Sequence, residues 1–381
     1  MSSIINTLKN YKYKHLDIRL IILVIGLTTL GIKVISSATN GELEGKQILG
    51  LILGCIVMSV AVFIDYHFIL KFSWVIYLLN LVLLLAVKFA GSVHMGAQRW
   101  IDIGPIQLQP SELTKLFLII FFANYISKRK EKLNTPLVLG FALVLFAIPV
   151  YLVLKQPDLS TTIIICMIFC SIIYIGGLSY KIISVACGVG ITAAIVLVYL
   201  ILQPNQQILE PYQYNRIVGF YDEDNEVAAR INYQQENAVM AIGSGGLWGK
   251  GLNNNTLTSV KNGNYISEPQ TDFIFCIVGE ELGFVGAAGV IIALAWIVFE
   301  CFYIGLHAPD LSGRIICVGY GAWIAFQSFV NIAVVTHMIP NTGLTLPFVS
   351  YGLSSLVSLY GGIGIILNIS LQHKKNVIGG L

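Results

Sequence analysis

Charged residues are scarce in this sequence. They make up 11% of the 381 residues, whereas hydrophobic residues make up 56%. Soluble domains are roughly 25% charged. The mean hydropathy is +0.78. A soluble globular protein is excluded, because so few polar residues could not cover its surface, and an integral membrane protein is predicted.

Paired cysteines and clusters of metal ligands are also missing. All seven cysteines fall inside apolar runs, without the spacing of a disulfide framework or of a zinc site. The six histidines are scattered and form no HExxH-type cluster. The sequence therefore predicts neither a disulfide scaffold nor a preformed transition-metal site.

The sequence contains instead many apolar runs that are long enough to cross a bilayer. Continuous runs indicate helices, because a barrel strand would alternate apolar and polar residues. The fold class expected is all-α: a polytopic membrane protein with a single domain over residues 1–381, in which residues 203–271 form one large extracytoplasmic loop. About ten transmembrane helices are predicted, near 19–38, 47–65, 71–91, 111–127, 136–154, 159–177, 181–202, 272–303, 314–336 and 345–370.

Basic residues predict the orientation. The short outer loops hold only Lys46, Arg99 and Lys155, whereas the inner segments hold clusters such as 128–132. The positive-inside rule then places the N and C termini in the cytoplasm. Because the basic residues serve topology and anionic lipid headgroups, the net charge of +3 does not indicate a nucleic-acid partner.

Three polar stretches, 92–115, 203–272 and 337–355, are predicted to flank the outer face of the bundle. In the last of them, Pro340 and Pro347 stand near two glycines. Such residues at membrane depth indicate broken or re-entrant backbone that lines a cavity.

The first polar stretch contains two pairs of candidate residues. Pro110 precedes a predicted helix that Ser111 would cap, and Glu112 there suits the positive end of the helix dipole. Lys115 opposes that dipole, so it must face a cavity, water or an anion, and it could also pair with Glu112. Arg99 and Trp100 could form an interfacial anchor.

Two further segments carry candidate site residues that could instead have a purely structural role. Asp158 follows a very short outer turn and could cap the next helix. Residues 228–242 predict an amphipathic helix that Gly243 stops. The segment GSGGLWGKG at 243–251 lacks the Walker pattern, but its N–H groups and Lys250 could cradle a pyrophosphate.

Asp272 is the acid around which the other candidates are arranged. It lies where the polar segment that includes Glu268 runs into a long apolar helix. An aspartate in this place could cap the helix, and capping does not exclude catalysis. Glu280 and Glu281 follow in the same helix and point in different directions, for function or for helix-to-helix hydrogen bonds.

Five motifs in succession resemble the SEDS family (shape, elongation, division and sporulation; RodA, FtsW and SpoVE), and RodA most. The motifs are RWIDIGPIQLQPSELTK, QPDLSTT, NRIVGF followed by QQENAVMAIGSGGLWGKGL, EPQTDFIFCIVGEELGFVG, and IPNTGLTLPFVSYGLSS. They span about residues 95–365 in the family's order. The sequence departs from the family at Ser267, where proline is usual, and at Leu353, where glycine is usual.

The resemblance implies a ten-helix peptidoglycan glycosyltransferase of the bacterial cytoplasmic membrane. Such an enzyme polymerises lipid II, works with a class B penicillin-binding protein and needs no organic cofactor. The family's essential aspartate falls on Asp272. The substrate-binding candidates that the resemblance implies are Arg99, Trp100, Glu112, Lys115, Asp158, Arg216, Lys250 and Glu268.

The mechanism expected from these residues is general-base catalysis. Asp272 would take the proton of an attacking sugar hydroxyl, while Lys115 and Arg99 would stabilise the departing pyrophosphate. The alternative role of Asp272 is that of a ligand to a divalent cation, Mg or Mn.

Two other classes of function are weighed against polymerisation. A lipid II flippase or an ion-coupled carrier would also use charged residues inside the membrane, but the sequence has no convincing inverted repeat. A scaffold for a partner enzyme would have no activity of its own.

Overall fold

The computed structural model describes residues 11, 13–94, 97–104, 106–201, 226–253, 259, 266 and 268–372. Apolar runs in lipid form helices because each backbone polar group must be paired within the segment. The α-helices are Ile18–Ala38 (α1), Glu44–Phe63 (α2), Tyr66–Lys71 (α3), Ser73–Ala90 (α4), Pro110–Lys128 (α5), Pro136–Leu154 (α6), Leu159–Ile175 (α7), Tyr180–Ile201 (α8), Glu226–Ser244 (α9), Ile274–Leu306 (α10), Leu311–Val335 (α11) and Leu353–Leu371 (α12).

Within the described residues, seven helices are long and apolar enough to cross a membrane, namely α1, α2, α4, α6, α10, α11 and α12. The predicted spans 111–127, 159–177 and 181–202 coincide with the helices α5, α7 and α8. The helix α5 carries Glu112 and Lys115 in its first turns, and α7 has only 17 residues. The chain is therefore a mostly helical membrane protein.

The expected all-α fold is wrong in one place. The segment predicted as an outer loop contains a three-stranded antiparallel sheet, with strands Ser92–His94 (β1), Ala97–Ile103 (β2) and Ile106–Leu108 (β3) in the order β1-β2-β3. β-branched and aromatic residues in the second strand favour this pairing. Gly104, with a φ of 62°, turns the chain between Ile103 and Ile106, which pair directly.

Several predicted helix ends also differ from those in the structure. Pro110 is the first residue of α5, and the cap position is Gln109, so Ser111 is not the cap. Gly243 lies inside α9, which confirms the amphipathic helix but not its predicted stop. The predicted span 345–370 is helical only from Leu353, because the preceding proline- and glycine-containing segment is not helical.

Glycines bring the central helices into direct contact. A Cβ atom placed on Gly305 of α10 would lie 3.0 Å from the Cβ of Cys317, and one placed on Gly321 of α11 would lie 3.2 Å from the Cβ of Cys301. The helices α10 and α11 are thus antiparallel in a fixed register. The helix α12 is almost completely buried, whereas α2 and α4 leave most of their apolar residues exposed, as lipid-facing helices do.

At the predicted cytoplasmic end, a histidine between two carboxylates holds several elements together. The Nδ1 atom of His67 lies 2.9 Å from Asp65 Oδ1, and its Nε2 atom lies 3.0 Å from Asp310 Oδ2. Tyr66 donates a hydrogen bond to Asp310 as well, at 2.9 Å. The hydrogen bonds with Asp310 and then Asp65 raise the pKa of His67 to about 9. The charged imidazolium therefore joins α3 to the start of α11.

This arrangement predicts a loss of stability at alkaline pH. Because the pKa of His67 is raised above its usual value, its contribution is complete below about pH 6.5 and is lost as the pH rises through about 9. Exposed pairs contribute up to about 1 kcal/mol each. Between pH 7 and pH 10 we expect the thermal midpoint of the wild type to fall by roughly 1–3 °C more than that of His67→Gln. Equal falls in the two proteins would contradict this role of His67.

Candidate functional site

The helix α10 is broken at Gly283. This residue has a φ of 67° and a ψ of −167°, so the 33-residue helix consists of two parts that meet there. In the register given by the glycine contacts, facing residue numbers of α10 and α11 add up to about 622, so Asn331 faces a position near residue 291. A straight α10 would carry Asp272 about 28 Å beyond that level, at 1.5 Å per residue.

Asp272 instead lies beside Asn331. The side-chain Nδ2 of Asn331 donates a hydrogen bond to the carbonyl oxygen of Asp272 at 2.7 Å. The half-helix Ile274–Leu282 must therefore turn back into the bundle at Gly283. A broken helix of this kind is tolerated at membrane depth where it is buried in protein or lines a cavity.

A second contact also indicates that the Asp272 region lies inside the bundle. A Cβ atom placed on Gly31 of α1 would lie 2.7 Å from the carbonyl oxygen of Val349. Gly31 precedes the end of α1 at Ala38 by seven residues, or about 10 Å. Val349 is next to Ser350, which contacts the residue before Asp272. The Asp272 region thus lies below the predicted outer ends of the helices.

Hydrogen bonds to main-chain oxygens hold the Asp272 segment. The carbonyls of residues 270–272 accept hydrogen bonds from Tyr351 N at 2.9 Å, Ser350 Oγ at 2.6 Å and Asn331 Nδ2 at 2.7 Å, respectively. These bonds fix the backbone of Asp272 without using its carboxylate. The residue is partly exposed. The cap position of α10 is Phe273, one residue after Asp272.

One face of α11 organises the loop next to Asp272. Asn331 Nδ2 also donates to Leu344 O at 2.6 Å. One turn earlier, Gln327 Nε2 donates to Thr345 O at 2.9 Å. Two side-chain amides therefore hold the loop at residues 344–345, and one of them holds Asp272 as well.

Lys115 belongs to the same network. Its Nζ donates to Glu112 Oε1 at 2.7 Å and to Gln327 Oε1 at 2.8 Å, and it lies 4.9 Å from the ring centre of Trp323. Lys115 is 0% exposed and Glu112 is 5% exposed. The predicted pairing of Glu112 with Lys115 is confirmed, and Gln327 connects this pair to the loop at Thr345.

Arg99 and Asp158 come together at a turn on the same side. Asp158 caps α7 by accepting a hydrogen bond from Thr161 N at 3.2 Å, as predicted. Arg99 donates to the carbonyl oxygens of Gln156 and Pro157, and its Nη1 lies 3.9 Å from Asp158 Oδ1.

This turn connects the sheet to α5 and to the loop after α11. Ser111 donates to Asp158 Oδ2 at 3.4 Å, and Ser160 donates to the carbonyl oxygen of Thr342. The turn at 156–160 therefore contacts the Lys115 helix and the segment that Asn331 and Gln327 hold.

The remaining predicted site residues lie nearby or outside the described part of the chain. Trp100 is partly exposed on β2, next to Arg99. Glu268 is exposed, has a φ of 54° and accepts a hydrogen bond from Gln270 at 2.5 Å. Lys250 forms an ion pair with Glu280 at 2.8 Å. Arg216 lies outside the described residues.

The sequence interpretation missed Gln327, Asn331, Thr345 and Ser350. A signal for the first two was available, because two amides four residues apart interrupt the apolar run 314–336. Polar residues inside membrane helices usually face protein or a cavity. Spacing of four places both amides on one helix face, but the loop that they hold could not be identified without the structure.

Among the described residues, no three side chains of His, Cys, Asp or Glu come together as ligands of a metal ion. A Mg²⁺ ion is usually held by one or two carboxylates together with water and substrate phosphates. The residues around Asp272 therefore fit a cation only if water and the phosphates of a substrate supply the other ligands.

The chain is similar to known proteins along nearly its whole length. A family model for FtsW, RodA and SpoVE, described as cell cycle protein, matches residues 15–375. The chain is 34% identical over 380 residues to a probable peptidoglycan glycosyltransferase FtsW of Nitrosomonas europaea, with 94% of each protein covered. It is 32% identical over 366 residues to the peptidoglycan glycosyltransferase MrdB of Escherichia coli K12, with 94% of this chain and 95% of that protein covered.

Two solved structures have a similar fold. The first, from a study of polymerization and crosslinking by a peptidoglycan synthase complex, has a TM-score of 0.77 at 27% identity and covers 94% of this chain and 97% of its own. The second is the rod shape determining protein RodA of Thermus thermophilus, with a TM-score of 0.69 at 26% identity, and it covers 96% of this chain and 98% of its own.

Proposed function

This chain belongs to the FtsW/RodA/SpoVE family, and from that premise we propose that it is a peptidoglycan glycosyltransferase. It polymerises lipid II into glycan strands at the outer face of the bacterial cytoplasmic membrane, for cell-wall elongation and shape or for division or sporulation. The names of its relatives from Nitrosomonas europaea and Escherichia coli K12 support this activity.

The position of Asp272 is the observation that best supports the proposal. Its backbone is held by hydrogen bonds to three successive carbonyls, and the residue itself is partly exposed. A catalytic base must be held in place while its side chain stays within reach of a substrate.

The chemistry proposed for Asp272 is general-base catalysis. A carboxylate oxygen of Asp272 takes the proton of a sugar 4-hydroxyl, while the oxygen of that hydroxyl forms a bond to the anomeric carbon of a second sugar. The bond from that carbon to the lipid pyrophosphate breaks, and its electron pair leaves with the pyrophosphate. A single carboxylate suffices because this leaving group needs no protonation, unlike the leaving group in glycoside hydrolysis.

Arg99 is the cation that we propose for the departing pyrophosphate. Its side chain retains 19% exposure while it holds the turn at Asp158, and a fixed cation that meets developing charge is a major source of catalysis. Lys115 is fully buried. We therefore propose that Lys115 acts through Gln327 on the loop at Thr345, without touching the substrate.

A divalent cation remains an alternative for Asp272. Mg²⁺ or Mn²⁺ that arrives with the pyrophosphate would take Asp272 as a protein ligand and would supply charge neutralisation. No organic cofactor is proposed.

The topology and the partner complete the proposal. About ten helices span the membrane, both termini are cytoplasmic, and the single domain includes the outer segment 203–271. A similar solved structure is described as part of a complex for polymerization and crosslinking. We propose that a class B penicillin-binding protein is the crosslinking partner of this chain.

The proposal is tested with the purified chain and lipid II. The chain is assayed alone and with a class B penicillin-binding protein, each with and without divalent metal. We expect the wild type to form glycan polymer under at least one of these conditions. Translocation of lipid II in vesicles, without polymer under any of these conditions, would favour a flippase and overturn the proposal.

Asn331 offers a test of how Asp272 is held. Asn331→Leu removes the donor to the carbonyls of Asp272 and Leu344, and leaving a buried acceptor unpaired costs about 1–3 kcal/mol. We expect a lower thermal midpoint and at least roughly tenfold slower polymerisation, because a shift of about 1 Å can cost about 100-fold in rate.

The matched control is Ser328→Ala on the same helix. Ser328 is also buried, but its hydroxyl has no hydrogen-bond partner, so the substitution is expected to change neither quantity. A wild-type rate for Asn331→Leu would show that this contact does not position Asp272.

A further inference from the structure

The glycine-rich segment 243–251 closes the break in α10. A helix broken at Gly283 leaves main-chain groups on both sides of the break without their usual partners. The glycine-rich segment supplies partners for four of them. The bonds are Lys250 N to Glu280 O at 2.9 Å, Gly251 N to Glu281 O at 2.9 Å, Phe284 N to Gly246 O at 2.8 Å, and Val285 N to Leu247 O at 3.2 Å.

The glycines allow this contact between two backbones. A Cβ atom placed on Gly245 would lie 2.0 Å from the carbonyl oxygen of Gly279, and one placed on Gly249 would lie 2.2 Å from that of Glu281. Gly249 also has a φ of 78°, which a residue with a side chain rarely adopts. The N–H groups of Lys250 and Gly251 are therefore bonded to α10, which is a different use from the predicted pyrophosphate cradle.

Lys250 fastens the segment to the half-helix through its side chain. Its Nζ lies 2.8 Å from Glu280 Oε1, and the Glu280 side chain is only 1% exposed. The adjacent Glu281 accepts a hydrogen bond from Ser37 at the end of α1. The two neighbouring carboxylates thus point to different partners, as predicted, and the Glu280 side chain holds the glycine-rich segment through Lys250.

The half-helix acts as a lever between this ion pair and Asp272. Eleven residues separate the break at Gly283 from Asp272, which is about 16 Å along a helix. A rotation of about 4° at the break would then move Asp272 by about 1 Å, a displacement that can cost about 100-fold in rate.

We propose that Lys250 and Glu280 are positioning residues for Asp272. Their ion pair holds the glycine-rich segment in the break and so sets the direction of the half-helix Ile274–Leu282. The inference rests on the proposed function of Asp272. If Lys250 bound a pyrophosphate instead, its ion pair with the buried Glu280 would be broken, which is costly.

The experiment compares kcat and KM for lipid II in a set of variants. Lys250→Ala is expected to lower kcat about 10- to 100-fold while KM changes less than about threefold, because a misplaced base slows the chemical step and leaves substrate contacts intact. Lys250→Arg, which keeps the pair, is expected to stay within about fivefold of the wild type.

Exchange of the two charges distinguishes positioning from substrate binding. The double variant Lys250→Glu, Glu280→Lys restores an ion pair, and we expect it to recover at least roughly tenfold in kcat over Lys250→Glu alone. Recovery would not occur if the cation at position 250 bound the substrate. A raised KM with unchanged kcat in Lys250→Ala, or an exchange variant that is as stable as the wild type but inactive, would overturn the inference.

Two controls complete the test. Lys46→Ala removes an exposed lysine from the predicted outer side and is expected to leave both constants unchanged. Thermal unfolding of each variant separates loss of positioning from loss of fold. An inactive wild type in the same assay would overturn the proposed function itself, whereas an active wild type with wild-type kcat in Lys250→Ala would overturn this inference alone.

Discussion

Asp272→Asn is expected to slow lipid II polymerisation by 10²–10⁴-fold, the range that general-base catalysis typically contributes. The amide has nearly the same size and leaves the hydrogen bonds from Asn331 to the carbonyl of residue 272 and from Ser350 to the carbonyl of Thr271 in place, but it cannot accept the hydroxyl proton. The thermal midpoint should therefore stay close to that of the wild type. The measurement is the rate of glycan formation by the purified variant.

The matched control is Asp102→Asn. Asp102 is an exposed carboxylate on β2, and its replacement is expected to leave polymerisation unchanged. A rate near wild type for Asp272→Asn would refute the assignment of Asp272.

Metal dependence separates the two roles of Asp272. If Asp272 is a metal ligand, a large excess of Mn²⁺ should restore part of the activity of Asp272→Asn, because an amide oxygen still ligates a hard cation weakly. If it is the base, added metal should leave the variant inactive.

Lys115→Met is expected to have the largest effect on stability. It removes the cation from a buried pair and leaves Glu112 buried without its partner, a change that costs about 3–5 kcal/mol. We expect a strongly lowered thermal midpoint in detergent. The exposed Lys128 at the other end of α5 is the control, because Lys128→Met removes a lysine without breaking a buried pair.

A double variant shows what Lys115 contributes apart from stability. Replacing a buried ion pair by residues of similar volume is often nearly neutral, so Glu112→Gln, Lys115→Met should recover most of the lost stability. If Lys115 acts through Gln327, activity should recover in part with it. A double variant that is stable and inactive would instead support direct contact of Lys115 with the pyrophosphate.

The sequence by itself determined that this protein lies in a lipid bilayer, and it determined several local features. The scarcity of charge and the length of the apolar runs determine a helical membrane protein, because lipid leaves a backbone no other partner than its own helix. The Asp158 cap and the amphipathic helix α9 were also predictable, since capping and helical periodicity depend on residues within one or two turns.

Only the tertiary structure decided how Asp272 is held and where it lies. Its carbonyl meets Asn331, which is 59 residues away in the chain, and the break at Gly283 is completed by a segment more than 30 residues earlier. The sheet on the outer side likewise depends on pairing between strands. Such contacts could not be predicted from local pattern, because a side-chain amide or a glycine carries no information about its distant partner. Their energies arise only when the helices pack, since hydrogen bonds and close backbone contacts act over a few ångströms in space and not along the chain.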